Sequence, residues 1–138
     1  MAGYSLELPT EVIGSINKLY DNAEDMMKEM TRAGAEVVYK NIQSNMKRSF
    51  KTTRSLEKGL RITKSYKTKS DDAINTKVGF YGYDEEGIPI PLKALAREYG
   101  TSRGERKKPF MRKAFRDANT ITDAMIKVQE RYIKDEWL

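Results

Sequence analysis

Glu98-Tyr99-Gly100-Thr101, then Ser102 to Lys108, then Pro109-Phe110-Met111-Arg112-Lys113-Ala114-Phe115, is the stretch on which the fold turns. It reads as a helix end, a polar basic loop and a new helix start. Gly100 stands where a helix C-terminus calls for positive φ, which glycine adopts without a Cβ penalty. Pro109 stands where a helix opens, because its missing N–H is not needed in the first turn. Phe110 and Phe115 are expected to anchor the new helix on a sheet, while Arg112, Lys113 and Arg116 face outward or toward a partner. A plain helix–loop–helix corner would carry the same features.

Working back from the corner, Leu92, Leu95, Ala96 and Tyr99 have helical spacing, with Pro91 as an opening residue. Before them, Asp84-Glu85-Glu86-Gly87 is an acidic loop, and Pro89 and Pro91 forbid an interior strand or helix at that point. Ala73 to Tyr83 alternates, with Ile74, Thr76, Val78 and Phe80 on one face. Arg61 to Thr68 alternates more weakly, and Lys69-Ser70-Asp71-Asp72 supplies turn residues between the two. This predicts an antiparallel hairpin. Leu56 and Leu60 lie one helical turn apart, which predicts a short helix around 53–60.

From Glu11 to about Phe50 there is no proline. Ile13, Ile16, Tyr20, Ala23, Met27, Met30, Gly34 and Val37 alternate steps of three and four, and Val12, Leu19, Met26, Val38, Ile42 and Met46 widen the stripe. Thr10 is a plausible cap. The pattern gives one long helix, or two with a break near residues 20–23. Its apolar face would lie on a small sheet or a neighbouring subunit, or form a coiled-coil arm. Beyond the corner, Phe110, Ala114, Ala118, Ile121, Met125, Val128 and Tyr132 continue a single stripe, weakened at Asn119-Thr120. The fold class is therefore α+β: a long N-terminal helix, a small antiparallel β-sheet (the hairpin), and two C-terminal helices including a long terminal one. One domain spans 1–138, with residues 1–10 as a flexible N-terminal segment.

The 138 residues carry 26 Lys plus Arg against 20 Asp plus Glu, a net charge of +6. The excess sits in two blocks: residues 47–77 at +7 and residues 97–116 at +6, with −3, −2 and −2 in the segments around them. Such blocks attract phosphates or an acidic protein face, and a solvated basic surface would look the same. With 38% apolar residues, the helical stripes exceed what one small sheet covers, which suggests burial between subunits.

The chain has no His and no Cys. That excludes a Ser-His-Asp triad, an imidazole base, a thiolate nucleophile, a disulfide, an iron–sulfur cluster and a thiolate zinc site. A metal would need carboxylates alone. Asp84-Glu85-Glu86 lacks calcium-loop spacing, Asp71-Asp72 falls in a turn, and Asp21, Glu24 and Asp25 share an exposed helix face. Glu105-Arg106-Lys107 matches the Glu-x-Lys end of some nucleases in spelling alone. No phosphate-binding glycine motif occurs, so neither catalytic residue nor cofactor is assigned. No apolar run approaches the roughly 20 residues that cross a bilayer. No basic-then-apolar leader opens the chain, so neither membrane insertion nor a signal peptide is expected.

The block from Glu98 to Phe115 resembles the signature of a family of small tailed-phage proteins, called tail-completion, head–tail joining or neck proteins and typified by a minor tail component of a lambdoid siphophage. The shared pattern is Glu-x-Gly-Thr, a loop, then Pro-Phe-[Leu/Met]-Arg-x-Ala, here Glu98, Gly100, Thr101, Pro109, Phe110, Met111, Arg112 and Ala114. Element order extends the likeness over about residues 25–135. Lys113 replaces a common second proline, Lys107-Lys108 replace a small apolar residue, and the loop with Pro89 and Pro91 looks inserted. The resemblance implies a structural role without bond chemistry, as a ring of six copies or a multiple at the head–tail junction of the virion, assembled in the host cytoplasm. Implied partners are sister copies, a portal or head-completion protein, a tail-terminator or tail-tube protein, and DNA passing through the channel. Arg103, Arg106, Lys107, Lys108 and Arg112 are the expected interface cations. The alternatives are a basic nucleic-acid-binding module using Tyr66, Phe80 and Tyr81, and a carboxylate-metal nuclease using Asp84 or Glu85.

Overall fold

A computed structural model of the chain describes residues 10–70 and 73–137; the side chains of Val12, Ile13, Ile16, Leu19 and Trp137 are not among those described. The expected flexible segment lies outside the described residues except for Thr10, and so do Asp71 and Asp72 of the expected turn. The elements are α1 (Thr10–Asp21), α2 (Ala23–Ser49), α3 (Arg54–Gly59), β1 (Leu60–Ile62), β2 (Tyr66–Lys67), β3 (Ile74–Asn75), β4 (Val78–Phe80), α4 (Ile90–Tyr99), α5 (Met111–Ala114) and α6 (Ala118–Trp137). The α+β class and the element order match the expectation.

The long N-terminal helix is two helices, divided at Asn22. That residue keeps α-region dihedrals (φ −92°, ψ −1°), and its neighbours keep helical hydrogen bonds from Asn22 N–H to Lys18 and from Met26 N–H to Asn22. The division is therefore a kink with no loop. The buried face of α2 is Gly34, Ala35, Val38, Ile42 and Met46. Tyr20 and Met27, expected in the stripe, are exposed, Tyr20 at 81%. The face that counts is the one with partners on it: α2 carries α5, α6 and the hairpin, and the hairpin carries α3 and α4.

The hairpin exists as two short ladders. β1 pairs with β4 (Leu60↔Phe80, Ile62↔Val78) and β2 with β3 (Tyr66↔Asn75, Lys67↔Ile74), all antiparallel. Four steps from Ile62 to Tyr66 face three steps from Val78 to Asn75, so one extra residue is accommodated in 63–65, as in a β-bulge. At that point Ser65 Oγ donates to the Lys28 carbonyl (3.1 Å) and lies 2.8 Å from Thr76 Oγ1, which lies 2.8 Å from Thr31 Oγ1. These hydroxyls fix the hairpin to α2 where the ladder bonds are interrupted.

Two expected faces are corrected. α4 buries Ile90, Ala94 and Glu98, and its leucine stripe points away: Leu92 is 58% exposed, Leu95 50% and Tyr99 60%. The single stripe from Phe110 onward is broken into α5 and α6 by a turn at residues 115–117. Phe115, expected to anchor on the sheet, is 56% exposed. The break follows from α2. Asn45 Nδ2 donates to the Phe110 carbonyl (3.1 Å), and Asn41 Nδ2 donates to the Ala114 carbonyl (3.2 Å) and to Asp117 (3.4 Å). These two amides, one helical turn apart, satisfy carbonyls at each end of α5 that a continued helix would have used itself.

Candidate functional site

The corner is organised around one buried carboxylate. Glu98, on the inner face of α4, is 2% exposed. Its Oε2 accepts from the backbone N–H of Phe110 (2.8 Å) and Met111 (2.9 Å), and its Oε1 accepts from Arg112 N–H (3.2 Å) and Arg112 Nε (2.9 Å). The first N–H groups of a helix have no partner within it and carry partial positive charge, so a carboxylate there is favoured. Burial by itself pushes the Glu98 carboxyl up. The N–H donors of Met111 and Phe110 and the Arg112 side chain outweigh it, and the group stays below the usual carboxylate range. No buried side-chain N or O atom among the described residues lacks a partner.

Gly100 closes the other side. It has φ +78° and ψ 179°, and its N–H bonds to the Ala96 carbonyl. A Cβ there would lie 2.7 Å from the Glu105 carbonyl oxygen and 2.9 Å from Lys107 N, so the loop returns against a surface only glycine leaves free. Thr101 N–H donates to the Glu105 carbonyl (3.1 Å), Gly104 N–H to the Thr101 carbonyl (3.3 Å), and Lys108 N–H to the Arg97 carbonyl (2.7 Å). The loop is thus laced back along the end of α4. Phe110, 0% exposed, then enters the core between Phe50 and Phe80, with edge-to-face rings at 5.3 and 5.9 Å.

The ten candidate residues therefore separate into two groups. Glu98, Gly100, Thr101, Phe110 and Arg112 build the corner, and Pro109 leads into it. Arg112 is turned inward to Glu98 and its guanidinium lies over the Tyr99 ring, 5.0 Å from the centroid, which is not the free cation expected. Arg103, Arg106, Lys107 and Lys108 are exposed on the loop, with no carboxylate partner among the described residues. Sequence reading missed Asn41, Asn45 and Arg97, whose guanidinium lies 5.1 Å from the Phe50 centroid. A polar residue at four-residue spacing on the core side of a long helix was the only signal for the two asparagines.

The other chemical readings meet specific geometry. Asp84 is closed in on its own loop. It pairs with Lys93 and accepts from Glu86 N–H (2.9 Å) and Ile88 N–H (2.8 Å), and the Lys93 contact, over the opposing effect of burial, holds its carboxyl below the usual range. Among the described residues, no group of three or more His, Cys, Asp or Glu could hold a metal ion. Phe80 is buried against Phe110, and Tyr66 lies under Lys77, so the expected base-stacking row of Tyr66, Phe80 and Tyr81 is not on offer as one surface. Among the described residues, no helix is long and apolar enough to cross a membrane.

Compared with protein families, the chain matches the HK97-gp10-like model, described as "Bacteriophage HK97-gp10, putative tail-component", over residues 10–81, more than half of its length. The match covers α1 to β4 and ends before the corner. No curated protein and no solved structure gave a match.

Proposed function

The chain belongs to the HK97-gp10-like family of phage tail components, and from that premise we propose that it works at the head–tail junction, as a tail-completion or neck protein acting in an oligomeric ring. The mechanism is assembly by surface complementarity, with no bond chemistry. The observation that carries the reading is the corner. A buried carboxylate, a glycine in a glycine-only conformation and a buried phenylalanine hold a loop of four uncompensated cations in a fixed place. A rigid loop presenting Arg103, Arg106, Lys107 and Lys108 loses little entropy on docking, so its charges serve recognition by an acidic face of a portal, head-completion, tail-terminator or tail-tube protein. Ring closure requires contacts between two different faces of each copy.

The test is head–tail joining. A variant with Arg106, Lys107 and Lys108 changed to Glu folds as the wild type, because all three side chains are exposed, and should leave filled heads and finished tails unjoined. Normal infectious particles from that variant would refute the assignment of the loop. Retention of joining together with steeply salt-dependent binding to free DNA would favour the nucleic-acid module instead.

A further inference from the structure

The face of α4 that points outward is the wrong face for an isolated molecule. Leu92, Leu95 and Tyr99 lie at i, i+3 and i+7 and are each at least half exposed, while the same helix turns a carboxylate inward. A contiguous apolar ridge of this kind marks an interaction surface. Elsewhere on the chain is an open apolar groove of about 280 Å³ between α2, the hairpin and α6, walled by Val38, Ile74, Val78, Ile121 and Met125, with half-exposed Phe115 among its lining. Drug-sized ligands take sites of roughly 300–1,000 Å³, so this groove suits a few aliphatic side chains better. None of its lining residues belongs to α4.

We propose that the α4 ridge of one copy seats in the α2–hairpin–α6 groove of the next copy. The inference rests on the ring reading above and names its seam. Ridge and groove are different faces, so the contact is heterologous, the type that closes rings. Charge favours the same occupant. The ridge runs into the 97–116 block at +6, whereas the segment 117–138, which forms the α6 wall, carries −2 with Asp117 and Asp123 exposed. Two ridges meeting each other about a two-fold axis would bring like charges together; ridge against groove brings unlike ones.

The chain has no Cys, so single engineered thiols report on one contact each. Leu95→Cys and Phe115→Cys are made separately, both at half-exposed positions, and mixed at concentrations where the wild type associates. Size is followed by light scattering and pairing by a short bismaleimide. The expected result is oligomers and a cross-link that needs both variants. Cross-linking of Leu95→Cys with itself would show a two-fold contact and overturn the proposal. Oligomers with no mixed cross-link would overturn the ridge-and-groove seam while leaving the ring standing, and a monomer at all concentrations would remove both. Leu95→Asp supplies the second arm: its melting temperature should match the wild type, and its association should weaken at least tenfold. Unchanged association of that variant also overturns the proposal.

Discussion

Replacing Glu98 by Gln keeps the shape of the side chain and removes its charge and one acceptor. Whichever way the amide turns, its NH2 faces two donors, either the N–H groups of Phe110 and Met111 or the N–H and Nε of Arg112. The less costly orientation keeps the carbonyl on the buried Phe110 side and leaves the two Arg112 donors to water. Hydrogen bonds to charged groups are worth about 1.5–3 kcal/mol each. With water recovering part of the Arg112 loss, the expected cost is about 2–4 kcal/mol. Glu98→Ala strands all four donors and falls at the upper end of the ~3–5 kcal/mol seen when a buried pair loses one member. Urea unfolding followed by far-UV circular dichroism measures both. The pH profile supplies the specific signature. The folded carboxyl lies below its ordinary value of 4.5, so its contribution is complete above that pH and is lost as pH falls through the folded value. The gap between wild type and Glu98→Gln should be flat from pH 5 to 8 and narrow in more acid solution. A gap below about 1 kcal/mol at neutral pH, or one that does not narrow in acid, would refute the carboxylate as the lock of the corner.

Further measurements address its neighbours. Gly100→Ala places a Cβ 2.7 Å from the Glu105 carbonyl oxygen in a backbone region essentially reserved for glycine, and should cost about 2–3 kcal/mol by denaturant titration. Gly104→Ala, at φ +100° with nothing within 4 Å of its Cβ, should cost only about 1–2 kcal/mol, and equal values for the two would remove the steric argument. Phe110→Ala deletes the ring between Phe50 and Phe80 and should cost about 3–5 kcal/mol in the same assay. Asn45→Ala frees the Phe110 carbonyl and should cost about 1 kcal/mol, with amide exchange in α5 rising above that in α2; equal exchange would show that Asn45 does not hold α5.

Much of the fold was legible because its signals are local. Thr53 was within the expected start of the short helix, and its Oγ1 accepts from Leu56 N–H as a cap should. Gly100 was assigned positive φ from its place after a helical stripe, and it has it. Phe110 was expected in the core and is fully buried. The family expectation also held, although the family model matches α1 to β4 and the motif that suggested it lies in residues 98–115.

What failed was the assignment of faces. The leucines of α4 have helical spacing, and so do Ile90, Ala94 and Glu98; periodicity says that a face exists and not which one is covered. A carboxylate on one candidate face argued against burying it until the N–H groups of Phe110, Met111 and Arg112 arrived from twelve to fourteen residues away. Phe115 is the same case: its spacing fits a continuous helix, and the break that exposes it is held by asparagines more than sixty residues earlier.

By itself the sequence determined the class of the fold, the order of its helices and strands, the glycine corner and the exclusion of thiol and imidazole chemistry. These depend on residue types and on neighbours within a turn or two. Only the tertiary structure decided that Glu98 faces inward, that Arg112 is spent on it, that Asn41 and Asn45 cut the last helix in two and that the leucines of α4 are left outside. Those outcomes depend on which donors meet a buried acceptor across long separations, and hydrogen-bond satisfaction of that kind has no periodic trace in the chain.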